Sequence, residues 1–582
     1  MSFAPSFRQP GQAMPTSARG SERPFLRRMR FGRPLLAAAT VLTTLPLAGI
    51  GIYGLWPSYA PPPASPTIVA GDYTCHEPAI IDEAGRVFLS FGTMRAMYDP
   101  DISLDSKSGR VSIPTAGHPV DMATDVLDRY VAARPAELNV PIMADSAGAP
   151  YVPLDIFAGL LRLEYRYFPE SNIVVVDRAG EDIQVGTVAV DETFVRETPS
   201  FLSLKQSRLV RDDTVRVYGE KKGRYRIRDR VGRLGYVTVA DLNVAPPMPA
   251  PPANAGNETP LPSLDDQKLS LVWEAVSGKN PNPAGIGEMP GLNVVSPTWF
   301  HVIDSEGTVQ NLGDRTYVEW AHARGYQVWG LVTNGFSPTR TRAFLPSPER
   351  REKIVRQLLY YAKLYNLDGI NLDFENMYLS QKDDYVALAR EFTLLAHEQG
   401  LTVSVDVTFL STSEVWSLCF DRRALAEICD YVMVMAYDEH TSGMDHAGSV
   451  GSLPWVEYGL NRILVEAGVP AEKCVLGLPF YTRLWTIEPG HRPKVTTYSM
   501  KGVHELLAEK NLTPTWDIES GQNYVEYTEE GLGYRLWIED ETSITARLSL
   551  VEKYGLAGVA AWRRGFEDAE IWKVIEEGLK GE

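Results

Sequence analysis

The acids Asp373 and Glu375 stand two residues apart in the otherwise largely apolar stretch LDGINLDFENMY, residues 367–378. Side chains alternate between the two faces of a β-strand, so both acids and Asn371 would share one face. The two acids would then lie about 6.6 Å apart along the strand. Carboxyl groups this close raise each other's cost of ionising, and one of them tends to keep its proton near neutral pH. A protonated carboxyl in a cleft can serve as a general acid; the alternative is a structural network in which neighbouring Arg or Lys side chains hold both acids.

Polar and aromatic side chains also gather at the C-terminal ends of three other strand-like runs. Aromatic rings beside an acidic cleft suit sugar rings, whose C–H faces stack on them, although any one aromatic taken alone ordinarily packs in a core. The side chains are Tyr437 and Asp438 in YVMVMAYDEH (431–440), Tyr481, Arg483 and Trp485 in CVLGLPFYTRLW (474–485), and Trp562 in GVAAWRRGF (558–566).

The elements that would position these side chains follow a regular pattern after residue 267. Eight apolar, strand-like runs alternate with helical patterns, at residues 269–276, 292–302, 326–334, 369–376, 401–409, 431–440, 474–485 and 558–566. Continuous apolar strands separated by helices indicate a parallel sheet that is buried on both faces. Eight such units in about 300 residues predict a TIM (β/α)8 barrel, whose active site lies at the C-terminal ends of the strands. Between Trp485 and Tyr534 the spacing changes, and we interpret this segment as a small α+β insertion that forms one wall of the cleft.

The motifs in this region resemble those of a known enzyme family. DGINLDFE (368–375) resembles the D-G-x-D-x-D-x-E signature of family 18 glycoside hydrolases, and MAYD (435–438) resembles that family's sixth-strand motif. The resemblance extends over residues 267–582. Asn371 stands where chitinases usually carry Asp. This difference casts doubt on chitin as the substrate more than on catalytic activity. Five stretches are most similar to the spore cortex and cell-wall N-acetylglucosaminidases of sporulating bacteria, namely DFENMY (373–378), YDEH (437–440), GSLPWVEYG (451–459), GLPFYTRLW (477–485) and GLAGVAAWRRGFE (555–567).

The resemblance implies a role for each matching residue. In this family the substrate's own acetamido group is the nucleophile, and the anomeric configuration is retained. Glu375 would protonate the glycosidic oxygen, Asp373 would orient the acetamido N–H and stabilise the oxazolinium intermediate, and Tyr437 would bind the acetamido oxygen. Trp562 would form the floor under the sugar, and Asp438 would bind its hydroxyls. The other candidates for contact with the substrate are Asn371, Tyr481, Arg483 and Trp485.

Charge and cysteine content exclude several other classes of protein. The net charge is −17, although the first 34 residues carry seven Arg against one Glu, and so acidic a chain would repel nucleic acid. Four Cys are too few for a disulfide scaffold, and we expect them to be small buried side chains, leaving open whether Cys419 and Cys429 pair. We expect no metal or other cofactor, because no set of His, Cys and Asp has the spacing of metal ligands. A substrate contact by His440 or His446 stays open.

The N-terminal part of the sequence predicts that the rest of the chain is exported across the membrane. Residues 35–56 form an apolar run of 22 residues that follows a basic tail (1–34), as expected for a transmembrane anchor with its N-terminus in the cytoplasm. The chain would then be a single-pass protein of the cell membrane with its C-terminal domains outside the cytoplasm. The alternative is a cleaved signal peptide, which would release a secreted or cell-wall protein.

Between the anchor and the barrel we predict two small domains and two Pro-rich linkers. DEAGRVFLSFGTM (82–94) aligns with DSAGAPYVPLDIF (145–157), and this repeat resembles the stalk domain first described at the N-terminus of copper amine oxidases, without its copper chemistry. Short alternating strands in the next segment predict a small barrel. FVRETPS (194–200) and GRYRIRDRVGRLGYV (223–237) resemble a bacterial SH3 domain, which is either a binding module or a spacer. The expected boundaries are linker 57–72, α+β stalk domain 73–182, all-β SH3-like barrel 183–244, linker 245–266 and catalytic barrel 267–582.

The sequence therefore predicts a membrane-tethered, retaining glycoside hydrolase that cleaves β-1,4 bonds after N-acetylglucosamine-type sugars in cell-wall or spore-cortex peptidoglycan. The alternatives are a chitinase or chito-oligosaccharide hydrolase, and a non-catalytic protein that binds cell-wall glycan.

Overall fold

The computed structural model describes most of the chain after residue 58, and Pro61–Glu582 form one compact unit. The described residues are 59–83, 85–97, 102–105, 110–113, 136–139, 142–161, 163–178, 181–249, 264 and 267–580. The predicted anchor at 35–56 lies outside them. Within the described residues, every helix is too short or too polar to cross a bilayer.

The C-terminal part is a closed barrel of eight parallel strands, as predicted. Val294–Pro297 pairs on one side with Leu269–Glu274 and on the other with Gln327–Thr333, and this second pairing closes the ring. The strands are Leu269–Glu274, Val294–Pro297, Gln327–Thr333, Gly369–Asp373, Thr402–Thr408, Tyr431–Met435, Cys474–Pro479 and Gly558–Trp562. The larger helices around them are Arg315–Ala323, Pro338–Phe344, Pro348–Tyr365, Lys382–Glu398, Arg422–Ile428, Leu453–Asn461, Glu541–Tyr554 and Ile571–Lys580.

Short elements lie between these strands and helices. A hairpin made of Phe300–Val302 and Val309–Asn311 extends the sheet beside the third barrel strand. The second predicted strand, 292–302, is therefore two strands. The remaining short helical turns are Pro283–Gly285, Leu379–Gln381, Glu414–Leu418, Arg462–Glu466 and Ala471–Lys473.

Alternation along the fourth barrel strand separates the inner from the outer core. Ile370, Leu372 and Phe374 pack outward against the helices, and the ring of Phe374 stacks on that of Tyr385 with centroids 5.3 Å apart. This outward direction of Leu372 and Phe374 follows from the two-residue period of a strand. Asn371 on the same strand is fully buried and points the other way, into the barrel.

Local sequence explains where the longest helix begins and ends. Pro348–Tyr365 follows Ser347, whose Oγ accepts a hydrogen bond from the backbone N–H of Arg350, and Pro348 occupies the first helical position. The helix ends at Asn366, which takes a left-handed conformation with φ 56°. This ending returns the chain directly to the fourth barrel strand.

Asp368 fastens the N-terminal end of the barrel, away from the acids. Its Oδ2 accepts a hydrogen bond from the backbone N–H of Val328 at 2.8 Å and lies 2.8 Å from Nε2 of His322. Asp430 has an equivalent pair with His397, at 3.0 Å. Asp368 therefore ties its strand to the neighbouring strand.

A five-stranded antiparallel sheet with the helix Met500–Glu509 is inserted between the seventh barrel strand and the helix Glu541–Tyr554. The predicted strand 474–485 is in fact two strands. The barrel strand ends at Pro479, where its pairing with Gly558–Trp562 ends, and the next strand pairs with Lys494–Ser499 of the insertion. Phe480 N–H still donates to Trp562 O at 2.8 Å, whereas Tyr481 already pairs with Ser499 of the insertion. The insertion strands are Tyr481–Ile487, Lys494–Ser499, Thr515–Asp517, Gln522–Glu529 and Leu532–Ile538.

The first N-terminal module contains the same elements twice. A strand followed by a helix occurs as Val87–Ser90 with Phe91–Met97, and again as Pro150–Pro153 with Leu154–Leu161, and the two strands pair antiparallel. Thr67–Ala70, which we had expected in the linker, is a strand of this module because its apolar Ile68 and Val69 are buried beside Ile173–Arg178. The other strands are Tyr73–Thr74, Ile80–Ile81, Ser103–Asp105, Arg110–Ile113, Ala136–Asn139, Met143–Ala144 and Leu163–Phe168.

The second module is an antiparallel β-structure with its own small core. Its sheet surrounds buried aliphatic side chains such as Val195, Val217 and Ile227. The last strand lies inside the segment that we had expected to be a linker. The strands are Asp182–Val188, Glu192–Arg196, Lys205–Val210, Thr214–Lys221, Arg224–Arg228, Leu234–Thr238, Leu242–Val244 and Met248–Pro249.

All four cysteines are buried free thiols, which leaves Cys419 and Cys429 unpaired.

The core of the first module is continuous with the outer core of the barrel. An ion pair between Glu83 of that module and Lys279 of the barrel adds a polar contact. The first module and the barrel therefore pack together directly.

Candidate active site

Glu375 lies just after the fourth barrel strand, and the side chain of Asn334 fixes its main chain. Asn334 Oδ1 accepts from the Glu375 N–H at 3.1 Å, and Asn334 Nδ2 donates to the Glu375 carbonyl oxygen at 2.7 Å. Asn334 is fully buried at the end of the third barrel strand. We had expected the fourth strand to continue through residue 376, but it ends at Asp373, so Asn334 replaces strand pairing in holding Glu375.

Asp373 and Glu375 form a hydrogen-bonded pair of buried carboxyl groups. Burial raises the pKa of Asp373 to about 7, although its hydrogen bond with Glu375 acts in the opposite direction. Burial raises the pKa of Glu375 well above its usual range, and the charges of Asp373, Asp406 and Asp438 raise it further. No Lys or Arg is among the main groups that act on either pKa, so the structural alternative with cations holding both acids has no support. The pair can keep a proton near neutral pH and donate it to a leaving group.

Tyr437 and two tryptophans line the inner side of the same end of the barrel. Tyr437 comes two residues after the sixth barrel strand and packs in the inner core beside Trp562 and Trp273. The rings of Trp273 and Trp562 lie with centroids 6.1 Å apart. Burial raises the pKa of Tyr437 well above its usual range, so its hydroxyl stays protonated and can donate a hydrogen bond.

Asn371 belongs to a buried polar network that the sequence only partly indicated. Its Oδ1 accepts a hydrogen bond from Trp273 Nε1 at 2.9 Å, and its Nδ2 donates to Ser404 Oγ at 2.9 Å and to Asp406 Oδ1 at 2.7 Å. We had not selected Asp406, Ser404, Trp273 or Asn334 as site residues. The signal for Asp406 was available in the strand VSVDVTF, where an acid alternates with outward-facing valines.

The insertion holds Asp438 at the rim of the site. Tyr481 donates its hydroxyl hydrogen to Asp438 Oδ1, and Arg483 Nη2 donates to the same oxygen at 2.6 Å. Arg483 Nη1 also donates to the carbonyl oxygen of His440 at 2.6 Å. The structure thus brings Asp438, Tyr481 and Arg483 together. Tyr481 and Arg483 lie on the first strand of the insertion and not at the end of the seventh barrel strand.

Trp485 does not lie on the cleft surface. It is fully buried, and its Nε1 donates to the carbonyl oxygen of Gly448 at 2.8 Å. It lies on the same strand as Tyr481 and Arg483, but the loop after the sixth barrel strand covers it. Trp485 therefore supports this loop from below.

A second buried network joins the insertion to the barrel. Arg547 Nη2 and Glu539 Oε1 lie 2.8 Å apart, and their side chains are 1% and 0% exposed. Gln522 Nε2 donates to Glu539 at 2.8 Å, and Arg547 donates to the carbonyl oxygen of Gly451. Glu539 N–H donates to Thr482 Oγ1 at 2.9 Å, which links the network to the strand that carries Tyr481 and Arg483.

The described residues contain no group of three His, Cys, Asp or Glu side chains able to hold a metal ion. The rings of His440 and His446 pack edge to face with centroids 5.1 Å apart, and His440 Nδ1 lies 3.0 Å from the carbonyl oxygen of Ser449.

A closed (β/α)8 barrel with a buried carboxyl pair and aromatic side chains at the C-terminal ends of its strands fits a glycosidase. Residues 330–567, which include most of the barrel, match Glycosyl hydrolases family 18.

The curated relatives include proteins named for cleavage of spore cortex fragments and proteins named for cleavage of chitobiose. The uncharacterized glycosylase YvbX of Bacillus subtilis is 23% identical over 50% of this chain and 85% of its own length. The cortical fragment-lytic enzyme of Bacillus subtilis is 24% identical, over 43% of this chain and 58% of that protein. Human di-N-acetylchitobiase is 24% identical over 47% of this chain and 79% of its length.

Proposed function

We propose that the barrel hydrolyses β-1,4 glycosidic bonds after N-acetylglucosamine-type sugars, with retention of configuration and with the substrate's acetamido group as nucleophile. Glu375 is the general acid and then the general base. The observation that carries this proposal is the buried, hydrogen-bonded Asp373–Glu375 pair at the C-terminal end of the barrel, in which the pKa of Glu375 is raised well above its usual range.

The contacts of the site suit the acetamido mechanism. Asp373 Oδ1 is buried and has no hydrogen-bond partner in the described structure, so it is available to accept the acetamido N–H. Tyr437 has a protonated hydroxyl that can donate to the acetamido oxygen and hold it below the anomeric carbon. Trp562 offers a partly exposed ring as the floor for the sugar, and Asp438 accepts from sugar hydroxyls.

We propose peptidoglycan of the cell wall or spore cortex as the substrate. The similarity to the cortical fragment-lytic enzyme supports this choice, and the similarity to di-N-acetylchitobiase supports chito-oligosaccharides as the alternative. The predicted anchor, the two N-terminal modules and the acidic barrel together suit work on the wall outside the membrane, and we propose that location for the chain.

Purified peptidoglycan and chito-oligosaccharides, incubated in parallel with the protein, separate the two substrates. We expect mass spectrometry to detect muropeptides with new reducing ends after digestion of peptidoglycan, at a rate at least tenfold higher than that of chito-oligosaccharide cleavage. Faster release from chito-oligosaccharides would overturn the choice of substrate. Absence of cleavage of both, with glycan binding retained, would favour the non-catalytic alternative.

A further inference from the structure

Asp406 is a buried carboxyl on the fifth barrel strand that none of the site motifs includes. It is 2% exposed, and its Oδ1 accepts the hydrogen bond from Asn371 Nδ2 at 2.7 Å. In the pairing of the fourth and fifth barrel strands, Leu372 lies beside Val405, which puts Asp406 at the level of Asp373. A third carboxyl therefore lies next to the catalytic pair in the interior of the barrel.

The Asn371 side chain joins Asp406 to the rest of the barrel interior, and every polar atom of its amide is used. Trp273 donates to the amide oxygen, while the amide nitrogen donates to Ser404 and Asp406. Each contact is 2.7 to 2.9 Å long. Because these partners lie on the first and fifth strands, the amide cannot rotate without breaking buried hydrogen bonds. This arrangement fixes Asp406 beside Asp373.

Asp406 also acts electrostatically on the catalytic pair. Burial, and then the charge of Asp373, raise the pKa of Asp406 well above its usual range. The charge of Asp406 in turn helps to raise the pKa of Glu375. Three neighbouring carboxyls in a buried interior must share protons, since a charge there is costly. The charge of Asp438 also raises the pKa of Glu375, and the carboxyls of this set in turn help to raise the pKa values of Tyr437, Tyr385 and Cys419.

We propose that Asp406 is a positioning residue of the active site, which orients Asp373 and keeps the proton on Glu375 by acting from the neighbouring strand with Asn371 as its partner. This inference rests on the proposed hydrolase function. Under this proposal, Asp406 does not touch the substrate but sets the pH range over which Glu375 is protonated and can act as the general acid.

The decisive test exchanges the two ends of the Asn371–Asp406 hydrogen bond. Asp406→Asn removes the carboxyl and keeps the shape, and Asn371→Asp adds a carboxyl on the other side. The double variant Asn371→Asp with Asp406→Asn restores one amide and one carboxyl in contact, and Trp273 and Ser404 can both donate to the new carboxylate. Ser404→Ala is the control, since it removes a partner of the same amide without changing any carboxyl.

We expect Asp406→Asn to lower kcat about 10- to 100-fold on the 4-nitrophenyl glycoside of di-N-acetylchitobiose, with little change in KM. Removal of one of the three carboxyls takes away a site that would gain negative charge as the set ionises, so the proton affinity of Glu375 falls and the alkaline limb of the kcat/KM profile should move to lower pH by about 1 unit. The exchanged double variant should recover to within about fivefold of the wild-type kcat/KM, and Ser404→Ala should leave the pH profile unmoved.

The outcomes separate this inference from the proposed function. If the wild-type protein cleaves the glycoside but Asp406→Asn retains its kcat and its pH profile, the positioning role is wrong and the hydrolase function stands. The positioning role is also wrong if the double variant is no better than Asp406→Asn, or if both fail to fold, because Asp406 would then serve only stability. A wild-type protein that cleaves no glycan overturns the proposed function itself.

Discussion

Replacement of Glu375 by Gln should reduce glycan hydrolysis at least about 1,000-fold while leaving glycan binding within a few-fold of the wild-type affinity. A positioned general acid contributes about 100- to 10,000-fold to a rate, and in this mechanism the same group also activates the water. Gln has the size of Glu and can keep the hydrogen bond to Asp373, but it cannot deliver a proton. Release of reducing ends measures the rate, and binding to the same insoluble glycan measures the affinity.

The structure offers a matched control for this substitution. Glu570→Gln makes the same chemical change at an exposed carboxylate that pairs with Lys573 at the surface. This variant should retain full activity. Full activity in Glu375→Gln, with a folded protein, would show that another group is the acid.

Replacement of Arg547 by Met should have the largest effect on stability. Arg547 and Glu539 are enclosed in the second buried network, and removal of one partner of a buried ion pair costs about 3–5 kcal/mol. Burial already raises the pKa of Glu539 to about 7 in the presence of Arg547, so without the guanidinium Glu539 should take up a proton. The carbonyl oxygens of Gly451 and Ser543 would also lose a donor.

Differential scanning calorimetry should show that Arg547→Met lowers the Tm of the barrel by about 5 °C or more. Arg492→Met is the control, because Arg492 pairs with Asp445 at 2.7 Å on the surface, where both side chains are more than 70% exposed. An exposed pair contributes little, so this variant should melt within about 1 °C of the wild type. Equal Tm values for the Arg547 and Arg492 variants would contradict a stabilising role for the buried network.

The barrel was predictable because its strands carry a physical signal in the sequence. Each strand is buried on both faces, so it appears as a continuous apolar run, and the two-residue period assigned Leu372 and Phe374 to the helix side. The ends of strands were less predictable. Pro479 and Tyr481 belong to one apolar run, and the exchange of pairing partner between them depends on where the insertion folds back.

The candidate site was predictable in its acids and less so in the groups that support them. Asp373, Glu375 and Tyr437 stand out because polar groups inside a barrel are costly without a purpose. Asn334 gave no such signal, since its hydrogen bonds to the main chain of Glu375 span 41 residues of sequence. Trp485 followed the alternation of its strand, but only the fold shows that a loop covers it.

The anomeric configuration of the first product tests the central claim most directly. Proton NMR of a chito-oligosaccharide or muropeptide digest, recorded within minutes of adding enzyme, shows which anomer forms before mutarotation. We predict that the β-anomer appears first, because an acetamido nucleophile and the Asp373–Glu375 pair together give retention. Initial formation of the α-anomer would contradict the acetamido mechanism and the roles assigned to both acids.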